Sequence, residues 1–193
     1  GTNTATQSIT INISDENDAP VITSSSSYNA DENQTAVGIV TATDEDNDTL
    51  SYSLSGTNAS ALNINDSGVI TFNADPNYEA QNTYSITVTV SDGSTNVTQS
   101  VTINIGNINE SPVITSSASL TFNNNDDNLL VGNIEVTDPE NSDLIYSLSG
   151  DDASALSINS LGELSFNGTP DKTNYTVIVS VSDGVNTVTQ TIT

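Results

Sequence analysis

Ile11-Asn12-Ile13-Ser14-Asp15-Glu16-Asn17-Asp18-Ala19-Pro20-Val21-Ile22-Thr23 returns 92 residues later as Ile103-Asn104-Ile105-Gly106-Asn107-Ile108-Asn109-Glu110-Ser111-Pro112-Val113-Ile114-Thr115. Each copy reads as a strand ending, a run of oxygen-bearing side chains, a proline and a new strand. Carboxylate and amide oxygens gathered where a chain passes between repeats suit a junction held by a hard cation, which takes oxygen ligands. The 92-residue offset also divides 193 residues into modules of about 90, large enough to bury a core without staples.

Apolar residues around these junctions alternate with period two: Leu50, Tyr52, Leu54; Ile86, Val88, Val90; Val101, Ile103, Ile105; Leu144, Tyr146, Leu148; Tyr175, Val177, Val179, Val181. Short alternating strands divided by Gly, Asn, Asp and Ser turns predict an all-β fold of β-sandwich modules, with no helix of ordinary length. Internal matches secure the repeat: Ser53-Leu54-Ser55-Gly56 with Ser147-Leu148-Ser149-Gly150, and Ser91-Asp92-Gly93 with Ser182-Asp183-Gly184. The expected organisation is a final strand of a preceding module at 1–13, a linker at 14–20, a module at 21–105, a linker at 106–112 and a module at 113–193 with its last strand clipped. A stranded β-edge seeks a partner, so residues 2–13 are expected to pair with another chain or fold back on a neighbouring edge.

Twenty-five acids against one base, Lys172, give a net charge of −24. Nucleic acid is excluded as a partner, because nothing could neutralise its phosphates. An anionic membrane surface would repel the chain, and no apolar run approaches the length of a span. Cysteine and histidine are absent, which removes disulfides, thiolate sites, the commonest general base and the commonest transition-metal ligand. Serines have no histidine to activate them, so the chain reads as a non-enzyme. Lys172 falls in a turn and reads as a solvated surface lysine rather than one half of a crosslink.

The acids are clustered. Asp44-Glu45-Asp46-Asn47-Asp48 follows a strand, and Asp138-Pro139-Glu140-Asn141-Ser142-Asp143 is its counterpart. In each half a further acid, Asp92 or Asp183, ends a later strand before a glycine turn. Acids at equivalent strand ends can converge on one pole of a sandwich, where calcium would collect its six to eight oxygens. Such bound cations would also relieve the self-repulsion of so acidic a chain.

These motifs resemble cadherin repeats, especially the bacterial cadherin-like modules of large surface adhesins. Asp15 to Pro20 is similar to the family's D-x-N-D-x-x-P linker up to a one-residue shift of the proline, Ala42-Thr43-Asp44-Glu45-Asp46 to its A-x-D-x-D, Glu32-Asn33 to its early glutamate, Asn77-Tyr78-Glu79 to its D-x-E, and Ser91-Asp92-Gly93 to its late aspartate. The resemblance implies tandem Greek-key sandwiches stacked end to end with calcium at each joint. About three ions at 106–112 would use Glu32, Asn77 and Glu79, then Asn107, the Ile108 carbonyl, Asn109, Glu110 and the Ser111 carbonyl, then Asp138, Glu140 and Asp183. About one ion at 14–20 would use Asn17, the Ala19 carbonyl, Asp44, Asp46 and Asp92, with Asp15 and Asp18 left for weaker sites. Asn77 and Asn107 stand where the family has aspartate, which lowers the charge of the site nearest Asn77. Alignment places Asp126 at the early glutamate of the second module, which has no D-x-E. The implied role is an extracellular spacer or adhesion array of a secreted bacterial adhesin, whose partners are neighbouring modules of the same chain. Two alternatives are a module that binds surface polysaccharide and one that adheres homophilically to another cell.

Overall fold

The computed structural model describes residues 1–122 and 129–193; Asp126 lies outside the described residues. The all-β expectation holds. The only helical turns among the described residues are two 3₁₀ turns, Ala59–Ala61 and Ala153–Ala155. The chain forms two compact units, Gly1–Asn107 and Ile108–Thr193.

The first unit contains β1 (Val21–Ile22), β2 (Ser27–Asp31), β3 (Ala36–Ile39), β4 (Ala42–Thr43), β5 (Ser51–Ser55), β6 (Leu62–Ile64), β7 (Val69–Phe72), β8 (Thr83–Ser91) and β9 (Asn96–Gly106). One sheet has the order β2-β9-β8-β5, a second the order β3-β7-β6, and β1 pairs with β4. β2 runs parallel to β9, with Ser27 opposite Thr102 and Asp31 opposite Gly106, whereas the other ladders are antiparallel. The alternation of β8 and β9 puts Tyr84, Ile86, Val88, Val90, Val101, Ile103 and Ile105 inside, against Val40, Ile70 and Phe72 from the facing side. Phe72 and Tyr84 meet edge-to-face with ring centroids 4.9 Å apart, a preferred aromatic geometry.

The second unit contains β10 (Val113–Ile114), β11 (Leu130–Asn133), β12 (Val136–Thr137), β13 (Ile145–Ser149), β14 (Leu156–Ile158), β15 (Glu163–Phe166), β16 (Val177–Ser182) and β17 (Thr187–Ile192). Its sheets run β13-β16-β17 and β11-β15-β14, with β10 against β12. Val177, Val179, Val181 and Ile192 form the core with Ile134, Leu156, Leu164 and Phe166. Residues 118–120 are not a regular strand, yet they bracket Thr193: its N–H donates to the Ala118 carbonyl at 2.9 Å and its carbonyl accepts from the Leu120 N–H at 3.0 Å. The first bond repeats that of the Thr102 N–H with the Ser26 carbonyl, 2.9 Å, in the first unit.

Residues 1–20 form no ladder with any described residue, and Ile9, Ile11 and Ile13 are 78%, 82% and 92% exposed. The expected fold-back of 2–13 onto a neighbouring edge is not seen among the described residues, where β9 has β2 on one side and β8 on the other. Lys172 is also less solitary than expected. It pairs with Asp152 and lies 5.6 Å from the centroid of the Tyr175 ring.

Each unit crosses between sheets beside a glycine turn. Gly68 and Gly162 adopt φ of 75° and 80°, a left-handed conformation costly for side chains. A Cβ on Gly68 would stand 2.1 Å from the Val40 carbonyl oxygen, which cannot retreat because Val40 is buried and its own N–H donates to the Gly68 carbonyl at 2.8 Å. Gly68→Ala should therefore cost about 2–4 kcal/mol, the sum of backbone strain and overpacking, read as a lowered midpoint in thermal or urea melts. Gly93→Ala, at φ 96° but facing open space, should cost only the strain, about 1–2 kcal/mol.

Candidate metal centre

β4 ends at Thr43, and the next residue, Asp44, starts a turn that folds around its own carboxylate. Its Oδ1 accepts from the N–H groups of Asp46 and Asp48, both at 3.1 Å. Asn47 closes the turn at φ 61°, a conformation that asparagine tolerates better than most residues. Asp44 Oδ2 is buried and has no hydrogen-bond partner. The Asp44, Asp46 and Asp48 carboxylates each place an oxygen within 4.8 Å of the others. Like charges at about 4 Å repel by roughly 1 kcal/mol in water and 4 kcal/mol near a protein surface. A cation would reverse that term.

The linker closes over this turn. The Asp18 N–H donates to Asp46 Oδ2 at 2.7 Å, and Asn17 Nδ2 donates to Asp92 Oδ2 at 3.0 Å and to its neighbour's carbonyl, Asp18 O, at 3.1 Å. Asp92, one residue beyond β8, also accepts from the N–H groups of Ser94 and Thr95 and from the Thr95 hydroxyl at 2.6–2.7 Å. These donors, the Thr95 hydroxyl first and then the Thr95 N–H and Asn17, hold the Asp92 carboxyl well below the usual carboxylate range. Asn17, Asp44, Asp46 and Asp92 thus stand together. Asp15 and Ala19 lie exposed on the same linker, before the buried Pro20.

The second unit rebuilds this pole with different residues. Asp138 follows β12, and its Oδ1 accepts from the Ser142 N–H at 2.9 Å while Asn141 turns at φ 54°. Asp138 Oδ2 is again buried without a hydrogen-bond partner. The Glu110 N–H donates to Glu140 Oε2 at 3.2 Å, as Asp18 does to Asp46, and the two glutamates place oxygens within 4.8 Å of each other. Asn109 Nδ2 donates to Asp183 Oδ2 at 2.9 Å, in place of Asn17 to Asp92. Here the Asn109 amide is the main cause of the lowered Asp183 carboxyl pKa, because Asn186 stands where the first unit has the Thr95 hydroxyl. Ile108 and Ser111, on the same linker, are exposed residues.

A second acidic group lies at the other pole of the first unit. Glu32 is 2% exposed, directly after β2, and its Oε2 accepts from the Tyr78 N–H at 2.8 Å. Glu79 brings an oxygen within 4.8 Å of it. Asn77 instead uses its Oδ1 to accept from the Ala80 N–H at 2.6 Å, which caps its own turn. Asn107 ends this unit, exposed beyond β9.

Asp48 joins Asp44 and Asp46, although sequence reasoning singled out only the latter two as ligands. The alternate spacing of all three acids was the available signal. Chemically, carboxylates and amide oxygens with no nitrogen or sulfur ligand fit a hard divalent cation, and the unsatisfied Asp44 and Asp138 oxygens face the cost of burial without a partner. The residues present fit calcium.

Residues 17–107 match the family model described as a bacterial cadherin-like domain. A chitinase A of Pseudoalteromonas piscicida is 32% identical over 177 residues, 91% of this chain but 21% of that protein, so the chain spans about a fifth of its length. Among solved structures, human protocadherin-24 EC1-2 (form II) is similar with a TM-score of 0.68 at 21% identity, covering 92% of this chain and 94% of that one. Drosophila N-cadherin EC1-4 gives 0.63 at 19%, covering 91% and 49%. These structural likenesses concern the fold.

The lowered Asp92 and Asp183 pKa values have a definite sign. A carboxylate with a folded pKa below its unfolded one stabilises the fold above the ordinary range near pH 4, and that contribution is lost as pH falls through the folded value. In chelator-treated protein, Asn109→Ala should move the Asp183 carboxyl titration upward more than Asn17→Ala moves that of Asp92, since Thr95 remains for the latter. Carboxyl-carbon NMR titration reads both.

Proposed function

We propose, from the premise that residues 17–107 belong to the bacterial cadherin-like domain family, that this chain is a calcium-ordered, non-catalytic extracellular module of a spacer or adhesion array. The observation that carries the reading is the pair of buried carboxylate oxygens without partners, Asp44 Oδ2 and Asp138 Oδ2, at equivalent turns. Around them the Asn17, Asp46 and Asp92 side chains, or Asn109, Glu140 and Asp183, would complete a cation's oxygen shell. The carbonyls of Ala19 and Ser111, and Asp15 and Asp18, are available for the remainder. The linker residues Asn107 to Ser111, with Glu32, Asn77 and Glu79, are proposed to bind about three ions that stiffen the 106–112 junction; this part rests on the sequence resemblance.

The mechanism is linkage. Ions that bind only the ordered pole stabilise it by RT ln(1 + [L]/Kd), about 2.7 kcal/mol when calcium is a hundredfold above Kd. Sites of extracellular modules bind at roughly 10⁻⁴ to 10⁻³ M, so the array would be ordered in millimolar calcium and loose at cytosolic levels. Among the described residues no helix is long and apolar enough to cross a membrane.

Asp44→Asn and Asp138→Asn retain an acceptor for the turn but remove a charge. Both variants should match or exceed the parent's melting temperature in chelator and lose most of the parent's calcium-induced gain of about 10 °C. Small-angle scattering of the parent should give a longer maximum dimension in calcium than in chelator. A melting temperature and dimension both indifferent to calcium would overturn the reading.

The chitinase relative favours a second reading, in which the module accompanies a polysaccharide-acting domain and holds it at its substrate. Pull-down on insoluble chitin separates the two. Depletion of the chain from solution supports a binding module, and full recovery in the supernatant supports a spacer.

A further inference from the structure

One asparagine in each unit ties the end of a strand to the 3₁₀ turn that precedes it in the chain. In the first unit Asn73 follows β7; its N–H donates to the Ala61 carbonyl at 2.9 Å, and its Nδ2 donates to the Ser60 and Leu62 carbonyls at 3.0 and 3.4 Å. In the second Asn167 follows β15; its N–H donates to the Ala155 carbonyl at 2.9 Å, and its Nδ2 to those of Ser154 and Leu156, both at 3.0 Å. The same tie built twice marks the asparagine as a structural joint of each module.

The residue that follows differs. Asn73 precedes Ala74, whereas Asn167 precedes Gly168, the one Asn-Gly pair of the chain. An asparagine amide is open to attack at Cγ by the backbone nitrogen of the next residue, and that approach is least hindered when the next residue has no Cβ. Gly168 is exposed, a Cβ on it would meet no atom within 4 Å, and its N–H makes no hydrogen bond to a described residue. The corresponding stretch of the first unit is held instead: Pro76 is buried, and its carbonyl accepts from the Asn33 N–H at 3.0 Å.

We propose that Asn167-Gly168 is a modification site, where spontaneous deamidation to aspartate and isoaspartate follows each opening of the tie and acts as a one-way switch on the second unit. The two bonds through Nδ2 restrain the side chain against rotation, so attack waits on local opening. The Gly168 nitrogen then loses its proton and bonds to Cγ, the Cγ–Nδ2 bond breaks and ammonia leaves, and water opens the cyclic imide at either carbonyl. The net change is amide and water to carboxyl and ammonia, with no oxidant or reductant. Aspartate sets a carboxylate against two carbonyls that need a donor, and those carbonyls lose their partner. Isoaspartate also lengthens the backbone next to Phe166, a core residue whose register opposite Leu156 places it. Neither product can remake the tie. The inference is independent of the metal centres.

Peptide mapping by mass spectrometry, on the 193-residue chain held at mildly alkaline pH, should show conversion at Asn167 at least tenfold faster than at Asn73, and faster still in sub-denaturing urea. Gly168 has no positive φ and faces open space, so Gly168→Ala should keep the parent's melting midpoint and slow conversion at least tenfold. Asn167→Asp, which mimics one product, should lower the midpoint. Equal conversion at Asn167 and Asn73, a rate that Gly168→Ala or urea leaves unchanged, or an Asn167→Asp midpoint equal to the parent's overturns the proposal.

Discussion

A chain with twenty-five acids and one base cannot hold its carboxylates by ion pairing. Among the described residues Lys172 and Asp152 make the one salt bridge. The acids that matter to the architecture are instead held by N–H donors: Asp44 by its own turn, Asp92 and Asp183 by the turns that follow β8 and β16, and Glu32 by the backbone of Tyr78. Backbone donors are directional and fixed in number. Asp44, gripped through Oδ1, therefore presents its Oδ2 in a defined direction.

The period-two pattern made the fold legible because a strand with one buried face must alternate. Ile86, Val88 and Val90 are inside for the same reason that they drew attention in the sequence. The acidic poles were partly legible, since strand-end acids sit at fixed offsets from the alternating core. What was not legible depends on hydrogen bonds made across the fold. Nothing in Asn77 announces that its side chain caps its own turn, and the exchange of Thr95 for Asn186 becomes meaningful only beside Asp92 and Asp183. Strand-like sequence in residues 6–13 likewise cannot reveal whether an edge is available, because availability belongs to the partner. In this chain β9 has both neighbours already.

The two units keep their cores and poles alike. Gly68 and Gly162, Val40 and Ile134, and Phe72 and Phe166 occupy matching places, because a close-packed core accepts residues of similar shape and size. Beside residues 118–120 the two bonds that bracket Thr193 stand where the β2–β9 ladder begins in the first unit.

The parallel pairing of β2 with β9 has a mechanical meaning. Past the short β1–β4 pairing, the first unit is entered at the start of β2 and left at the far end of β9, so tension that reaches β2 from Pro20 and β9 from Asn107 draws these strands in opposite directions along their length. Their ladder from Ser27–Thr102 to Asp31–Gly106 is then loaded in shear, with its hydrogen bonds strained together rather than peeled open one at a time.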